Sequence, residues 1–310
     1  MTACNANHLT GVIPPVITPL NPDRTLDVPG LERVLERMLA AGVAGIFALG
    51  STGEVAFASP ALREQVIGEV VRIVNHRVPV IAGVVDMQTA RVIENIRQAQ
   101  SLGADAVVAT APYYAITLPP EVERHFSILA EHSELPIYAY DIPVCVHTKL
   151  LPDMLVRLGA RGALAGVKDS SGDDVNFRRL ALKNRDAGAG LSLLTGHEFV
   201  VDGAYLSGAD GCVPGLANVD PAGYVALHQA QLADDWQRVR TEQDRLARLM
   251  EICLASRGQQ GWAAGVGAFK TALKLLGIIE SNQVPQPFEA INAEDTLAIQ
   301  AILEAHGPTA

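Results

Sequence analysis

The chain has 310 residues, 49% hydrophobic and 19% charged, with a formal net charge of −10. That balance belongs to a globular protein with a large core, and the acidic excess excludes a nucleic-acid partner held through its phosphates. No apolar stretch approaches the roughly 18 residues a membrane span needs, and the opening Met-Thr-Ala-Cys-Asn-Ala-Asn-His has no leader character, so a cytoplasmic protein is expected.

In chain order, short apolar runs alternate eight times with helical patterns. The expected strands are Val12–Thr18, Gly45–Leu49, Pro79–Val84, Ala106–Thr110, Pro136–Tyr140, Leu164–Lys168, Leu191–Thr195 and Gly211–Pro214. Each is continuously apolar, as strands covered on both faces of a parallel sheet are. Between them fall helices at Val28–Ala41, Pro60–Val74, Thr89–Leu102, Pro119–His132, Pro152–Leu158, Val175–Leu182 and Glu198–Ser207. Asp27, Ser59-Pro60 and Leu118-Pro119 mark helix starts, and Gly42 and Gly103 mark ends. After the eighth strand come helices alone, at Pro221–Gln231, Asp234–Ala255, Trp262–Leu276 and Ala293–His306.

This order predicts the α/β class and a (β/α)8 TIM barrel with additional C-terminal helices. A doubly wound sheet would carry a glycine-rich turn after its first strand, where this chain has Pro19-Leu20-Asn21-Pro22-Asp23. Residues 1–220 hold the barrel strands and most helices; residues 221–310 hold the last barrel helix and a C-terminal helical segment of the same structural unit.

Barrel chemistry sits at the C-terminal strand ends. One of only five lysines, Lys168, closes the sixth strand and opens Asp169-Ser170-Ser171-Gly172-Asp173. An amine lifted out of water attacks a carbonyl as the free base, although a strand-end lysine can also reach solvent or pair with Asp169. The second strand ends in Gly50-Ser51-Thr52-Gly53-Glu54, a compact set of hydroxyl and amide donors suited to a small carboxylate, or else simply a tight turn. Four of six tyrosines, in Pro112-Tyr113-Tyr114 and Tyr138-Ala139-Tyr140, fall at the fourth and fifth strand ends. A phenol beside an amine can relay protons to a developing alkoxide. Cys4, Cys145, Cys212, Cys253 and the eight histidines show no metal-ligand spacing, so no metal is expected and the thiols read as reduced. Gly265-Val266-Gly267-Ala268-Phe269-Lys270-Thr271 lacks phosphate-loop spacing and reads as helix packing.

Gly50-Ser51-Thr52-Gly53-Glu54, Pro112-Tyr113-Tyr114, Tyr140-Asp141-Ile142-Pro143 and Gly166-Val167-Lys168-Asp169-Ser170-Ser171-Gly172-Asp173 together resemble the signatures of the dihydrodipicolinate synthase / N-acetylneuraminate lyase family. Gly208-Ala209-Asp210-Gly211 and Lys270–Gly277 extend the likeness over most of the chain. The resemblance implies a class I lyase or aldolase that needs no cofactor, because Lys168 itself forms the imine with C2 of pyruvate or another 2-oxo acid. It implies Tyr140 as proton relay, Ser51 and Thr52 with the amides beside Gly50 as carboxylate holders, and a main-chain carbonyl of Val213 in the pocket. Tyr114 matches a tyrosine that crosses a tight dimer interface, and the assembly implied is a homotetramer, a dimer of dimers.

Departures bear on the second substrate. Cys145 stands where dihydrodipicolinate synthases carry an arginine for a second carboxylate, and a thiol does not replace a guanidinium. Gly196-His197-Glu198-Phe199 keeps one acid where sialic acid lyases place two, and Val213-Pro214-Gly215 lacks their serine. The expectation is carbon–carbon cleavage or formation on a 2-oxo-3-deoxy sugar acid or a 4-hydroxy-2-oxo acid, with a free aldehyde as the further small-molecule partner. Ser170, Gly196, His197 and Glu198 are candidate substrate contacts, with capping and loop solvation as the ordinary alternative. Dehydration through the same imine, dihydrodipicolinate synthesis, sialic acid cleavage and non-catalytic 2-oxo acid binding stay open. Asp141, where the family often has asparagine, and His147 have no role assigned from sequence.

Overall fold

Eight parallel strands form one sheet in which the first strand lies beside the eighth and the order then runs back, strand by strand, to the second. The structure is a computed structural model that describes residues 6–257 and 261–308; Cys4 and the first five residues lie outside them. The elements are β1 (Gly11–Val12), α1 (Val28–Ala40), β2 (Ile46–Ala48), α2 (Pro60–Val74), β3 (Val80–Gly83), α3 (Thr89–Ser101), β4 (Ala106–Thr110), α4 (Pro119–Glu131), β5 (Ile137–Asp141), α5 (Pro143–Val146), α6 (Pro152–Ala160), β6 (Gly166–Asp169) and α7 (Asp174–Ala187). They continue with β7 (Ser192–Thr195), α8 (Val201–Ser207), β8 (Gly211–Cys212), α9 (Pro221–Leu232), α10 (Trp236–Met250), α11 (Trp262–Leu275) and α12 (Ala293–His306). The expected (β/α)8 barrel with extra C-terminal helices is what forms.

The first strand is shorter than its apolar run suggests. Pro14 and Pro15 have no N–H to give a ladder, so regular pairing stops at Val12. The chain nevertheless stays extended and closes the ring: Ala44 N donates to Val12 O at 2.8 Å, Phe47 N to Pro14 O at 2.9 Å and Val16 N to Phe47 O at 3.0 Å. The expected helix at Val175–Leu182 extends to Asp174–Ala187 because Asp173 caps it, its side chain accepting from Asn176 N. Glu198–Ser207 divides into a 3-10 turn, Glu198–Val200, and α8. The short α5 has no periodic signal and was not expected.

Inside the barrel, Ile13, Phe47, Ile81, Val108, Tyr138 and Leu194 meet below the catalytic end. Tyr138 belongs to this floor, not to the rim. Its hydroxyl accepts from Leu9 N and donates to Ala6 O, both at 3.0 Å, tying the N-terminal segment under the strands. Outside, helices bury one stripe each, as α1 does with Leu31, Val34, Leu35 and Met38. Beyond the barrel, α10 packs on α9 and α12, while α11 runs back against the turn Gly215–Asn218 on the catalytic side.

Candidate active site

The register of β5 and β6 builds the centre of the site. Tyr140 pairs with Lys168 and Asp141 with Asp169. Residues paired across parallel strands share a face, so Tyr140 and Lys168 both point into the barrel mouth. Lys168 is buried, with Nζ 4.0 Å from the centroid of the Tyr140 ring and 5.1 Å from that of Phe47. The Tyr140 hydroxyl lies 3.3 Å from Ser51 Oγ. On the other side stands Gly196: a Cβ there would run into Ser170 Oγ and come within 3.2 Å of Lys168 Cε. Lys168, Tyr140, Ser51, Ser170 and Gly196 are thus brought together.

The Gly50–Glu54 segment is a tight turn, with Glu54 N donating to Ser51 O at 3.1 Å and Thr18 Oγ1 to Gly53 O at 2.7 Å. Glu54 adopts a left-handed φ of 64° and turns its carboxylate inward. There Lys270 Nζ donates to both carboxylate oxygens, at 2.7 and 2.8 Å, and to Gln283 O at 2.9 Å. Lys270 is wholly buried. Burial raises the Glu54 pKa and lowers that of Lys270, each partner's charge opposing the shift. The helix-packing reading of Gly265–Thr271 holds for the backbone but misses this ion pair. The available signal was a lysine on an otherwise apolar helical face.

A second ion cluster sits behind β5 and β6. Asp141 and Asp169 are neighbours on adjacent strands, and Lys149 Nζ bridges them, bonded to Asp141 Oδ2 and 3.6 Å from Asp169 Oδ2. Leu150 N donates to Asp141 Oδ1 at 3.1 Å and Ser171 N to Asp169 Oδ1 at 2.8 Å. Burial, and then the Asp169 charge, push Asp141 up to about 6 against the pull of Lys149. Asp141 is therefore an anchor for the segment 142–150. Lys149 was not foreseen.

Glu198 makes the loop contacts that sequence left open as the ordinary alternative to substrate binding. Its Oε2 accepts from Leu216 N at 2.7 Å and from the Tyr224 hydroxyl at 3.4 Å, so this part of the carboxylate holds the β8 loop. Burial raises its pKa, while the Leu216 and Gly215 amides and the charge of Lys168 work the other way. A Cβ at Gly215 would lie 3.1 Å from Glu198 Oε1 and 3.2 Å from Thr52 Oγ1, which places both beside the β8 end. Val213 is buried there, its N–H bonded to Thr195 O at 2.7 Å. His197 Nδ1 stands 3.5 Å from Asp174, and His147 ends α5 with a φ of 57°. Tyr114, with φ 74°, is 92% exposed and is not gathered into the mouth within this chain.

Beside Ser51 opens a cavity of about 280 Å³ that Thr110, Tyr113 and Cys145 also border. Thr110 pairs with Tyr140 across β4 and β5, so it belongs to the same inward layer. Sequence reading passed over it as the last residue of an apolar strand. A larger cavity of about 510 Å³, lined by His8, Asn184, Arg185, Leu193 and Asp210, lies at the opposite ends of the strands, away from barrel chemistry. Among the described residues, no group of His, Cys, Asp or Glu could hold a metal ion, and no helix is long and apolar enough to cross a membrane.

The sequence model of the dihydrodipicolinate synthetase family matches residues 8–306. A 4-hydroxy-tetrahydrodipicolinate synthase of Methanoculleus marisnigri is 31% identical over 299 residues, covering 96% of this chain and 99% of its own. Among solved structures, the dihydrodipicolinate synthase of Bacteroides thetaiotaomicron superposes with a TM-score of 0.90 at 34% identity, over 96% of this chain and 98% of its own. A prophage protein of that family from E. coli K12, solved in complex with pyruvate, also gives 0.90, at 26% identity over 96% and 98% of the two chains.

Proposed function

The chain belongs to the dihydrodipicolinate synthetase family, and on that premise we propose that it makes or breaks a carbon–carbon bond next to an imine of pyruvate on Lys168. It is a lyase of the pyruvate-dependent class I type. The observation that carries the finer reading is a buried Lys168 in register with Tyr140, whose hydroxyl lies 3.3 Å from Ser51 Oγ.

In cleavage, Lys168 Nζ adds to C2 of a 4-hydroxy-2-oxo acid and the C2 oxygen leaves as water, giving an iminium. Tyr140 takes the proton of the C4 hydroxyl, and the C3–C4 bonding pair flows into the iminium, releasing an aldehyde and leaving an enamine. Protonation at C3 and hydrolysis free pyruvate and the amine. Ser51 and Thr52 present hydroxyls, and the turn presents amides, for the substrate carboxylate. Cys145 gives no cation for a second carboxylate, which argues against a dicarboxylic substrate. The substrate class is a 4-hydroxy-2-oxo acid or a 2-oxo-3-deoxy sugar acid. The protein works in the cytoplasm as a homotetramer in which a partner copy's Tyr114 completes the hydroxyl relay.

Borohydride reduction with pyruvate, read by intact mass and peptide mapping, tests this reading. The expected result is one stable adduct on Lys168, and Lys168→Ala gives neither adduct nor turnover. Wild-type protein without an adduct would remove the imine and leave a non-covalent binder of 2-oxo acids.

A further inference from the structure

Resting on the imine chemistry above, we infer that Lys270, on α11 and outside the barrel mouth, is a positioning residue for the carboxylate of pyruvate, acting through Glu54 on the Ser51 and Thr52 hydroxyls. The Lys270 ammonium has three hydrogens, and all three are engaged within this chain: by Glu54 Oε1 at 2.7 Å, Glu54 Oε2 at 2.8 Å and Gln283 O at 2.9 Å. The ammonium thus ties the segment after α11 to the last residue of the β2 turn. Glu54 N donates to Ser51 O at 3.1 Å and Val55 N to Gly50 O at 3.3 Å, so the residue that Lys270 grips closes the loop around Ser51 and Thr52. Its φ of 64° is one that a non-glycine residue keeps only where its surroundings hold it.

The neighbouring residue of the helix backs the other wall. A Cβ at Gly215 would come within 2.8 Å of Phe269 Cε2 and 3.2 Å of Thr52 Oγ1. Successive residues of α11 therefore bear on the β2 turn and on the β8 turn, with Thr52 between them. On the barrel side the turn has no slack: a Cβ at Gly53 would stand 3.0 Å from Leu49 N and from Val16 O, and Thr18 Oγ1 holds Gly53 O. Lys270 supplies the restraint on the outer side. Stability alone does not account for an ion pair here, because apolar groups of similar volume in place of a buried pair are often neutral or stabilising. Directional bonds to both carboxylate oxygens fix an orientation that apolar packing would leave free. That orientation matters because hydroxyls placed for a small anion act through distance and angle.

The assay uses pyruvate alone. Through the imine and enamine on Lys168, a C3 proton of pyruvate leaves to solvent and a deuteron from heavy water replaces it, which proton NMR follows. Borohydride trapping runs in parallel, and pyruvamide serves as the ketone with a neutral amide in place of the carboxylate. Lys270→Met is expected to raise the KM for pyruvate by about tenfold, the scale of one hydrogen bond to a charged group, with little change in kcat or in the KM for pyruvamide. A general loosening of the fold would instead lower kcat and move both ketones alike, and that result overturns the inference. The double variant Glu54→Gln/Lys270→Met carries neither charge and keeps the test open should the single variant not fold. Its KM for pyruvate should stay raised. A return to the wild-type value would mean that Lys270 only cancels the Glu54 charge, and would likewise overturn the positioning role. Wild-type protein that fails to trap pyruvate strikes the imine reading, whereas trapping with an unmoved KM in both variants strikes the positioning role alone.

Discussion

Two segments flank the reacting groups, and each is fastened by a lysine in a different way. The Gly50–Glu54 turn, which carries the hydroxyls proposed for pyruvate, is held by a Glu54–Lys270 pair sealed from solvent, with Lys270 0% exposed. The 142–150 segment, which helps line the cavity beside Ser51, is held by Lys149, whose side chain is 25% exposed and shared between two carboxylates. The turn at the end of β2 is fixed by a buried pair. The segment after β5 is fixed by a cation within reach of water.

The largest effect is expected at Tyr140, which joins the two segments: its hydroxyl touches Ser51 and its neighbour Asp141 anchors 142–150. Tyr140→Phe should lower kcat by about 10²-fold or more, the scale for losing a positioned acid–base group. Near wild-type turnover would separate the phenol from the chemistry.

Next comes Lys270→Met, which leaves the Glu54 carboxylate buried without its cation. We expect a loss of about 3–5 kcal/mol, read from the urea midpoint, and the double variant Glu54→Gln/Lys270→Met should recover much of it. Lys149→Met should cost less, about 2 kcal/mol, because water can approach its carboxylates. Asp141→Asn in that background should restore stability by removing one of two facing charges. If Lys149→Met proved the more damaging of the two, the contrast between sealed and accessible fastening would fail.

The smallest effect is a pH dependence. Asp141 has a folded pKa of about 6 against an ordinary 3.8, so the folded chain holds this proton more firmly than the unfolded one. The resulting stabilisation is fully present below about pH 4 and is lost as pH rises through about 6. Asp141→Asn cannot titrate, so its stability relative to wild type should improve by on the order of 1–2 kcal/mol between pH 4 and pH 7. Thermal unfolding of both proteins at the two pH values checks the sign.

The barrel was legible because its strands are continuous apolar runs and its helices carry caps such as Asp27 and Ser59. Lys168, Tyr140 and Ser51 were legible for a related reason: each closes or follows a strand whose end the pattern locates. Lys149 and Lys270 were not, since a bridge made across 8 and 216 residues leaves no local spacing to read. Tyr138 shows the limit from the other direction. It lies two residues from Tyr140 on the same strand, and only the long-range bond to Leu9 reveals that it serves the floor. Thr110 looked like one more strand residue until its register with Tyr140 was known.

The prolines at 14 and 15 give the ring of strands a clasp. Where other neighbours share regular ladders, the join between β1 and β2 rests on the bonds of Val12, Pro14 and Val16 with Ala44 and Phe47. That clasp sits immediately before Thr18, whose hydroxyl donates to Gly53 O, so one stretch of chain both closes the ring and ties down the Gly50–Glu54 turn.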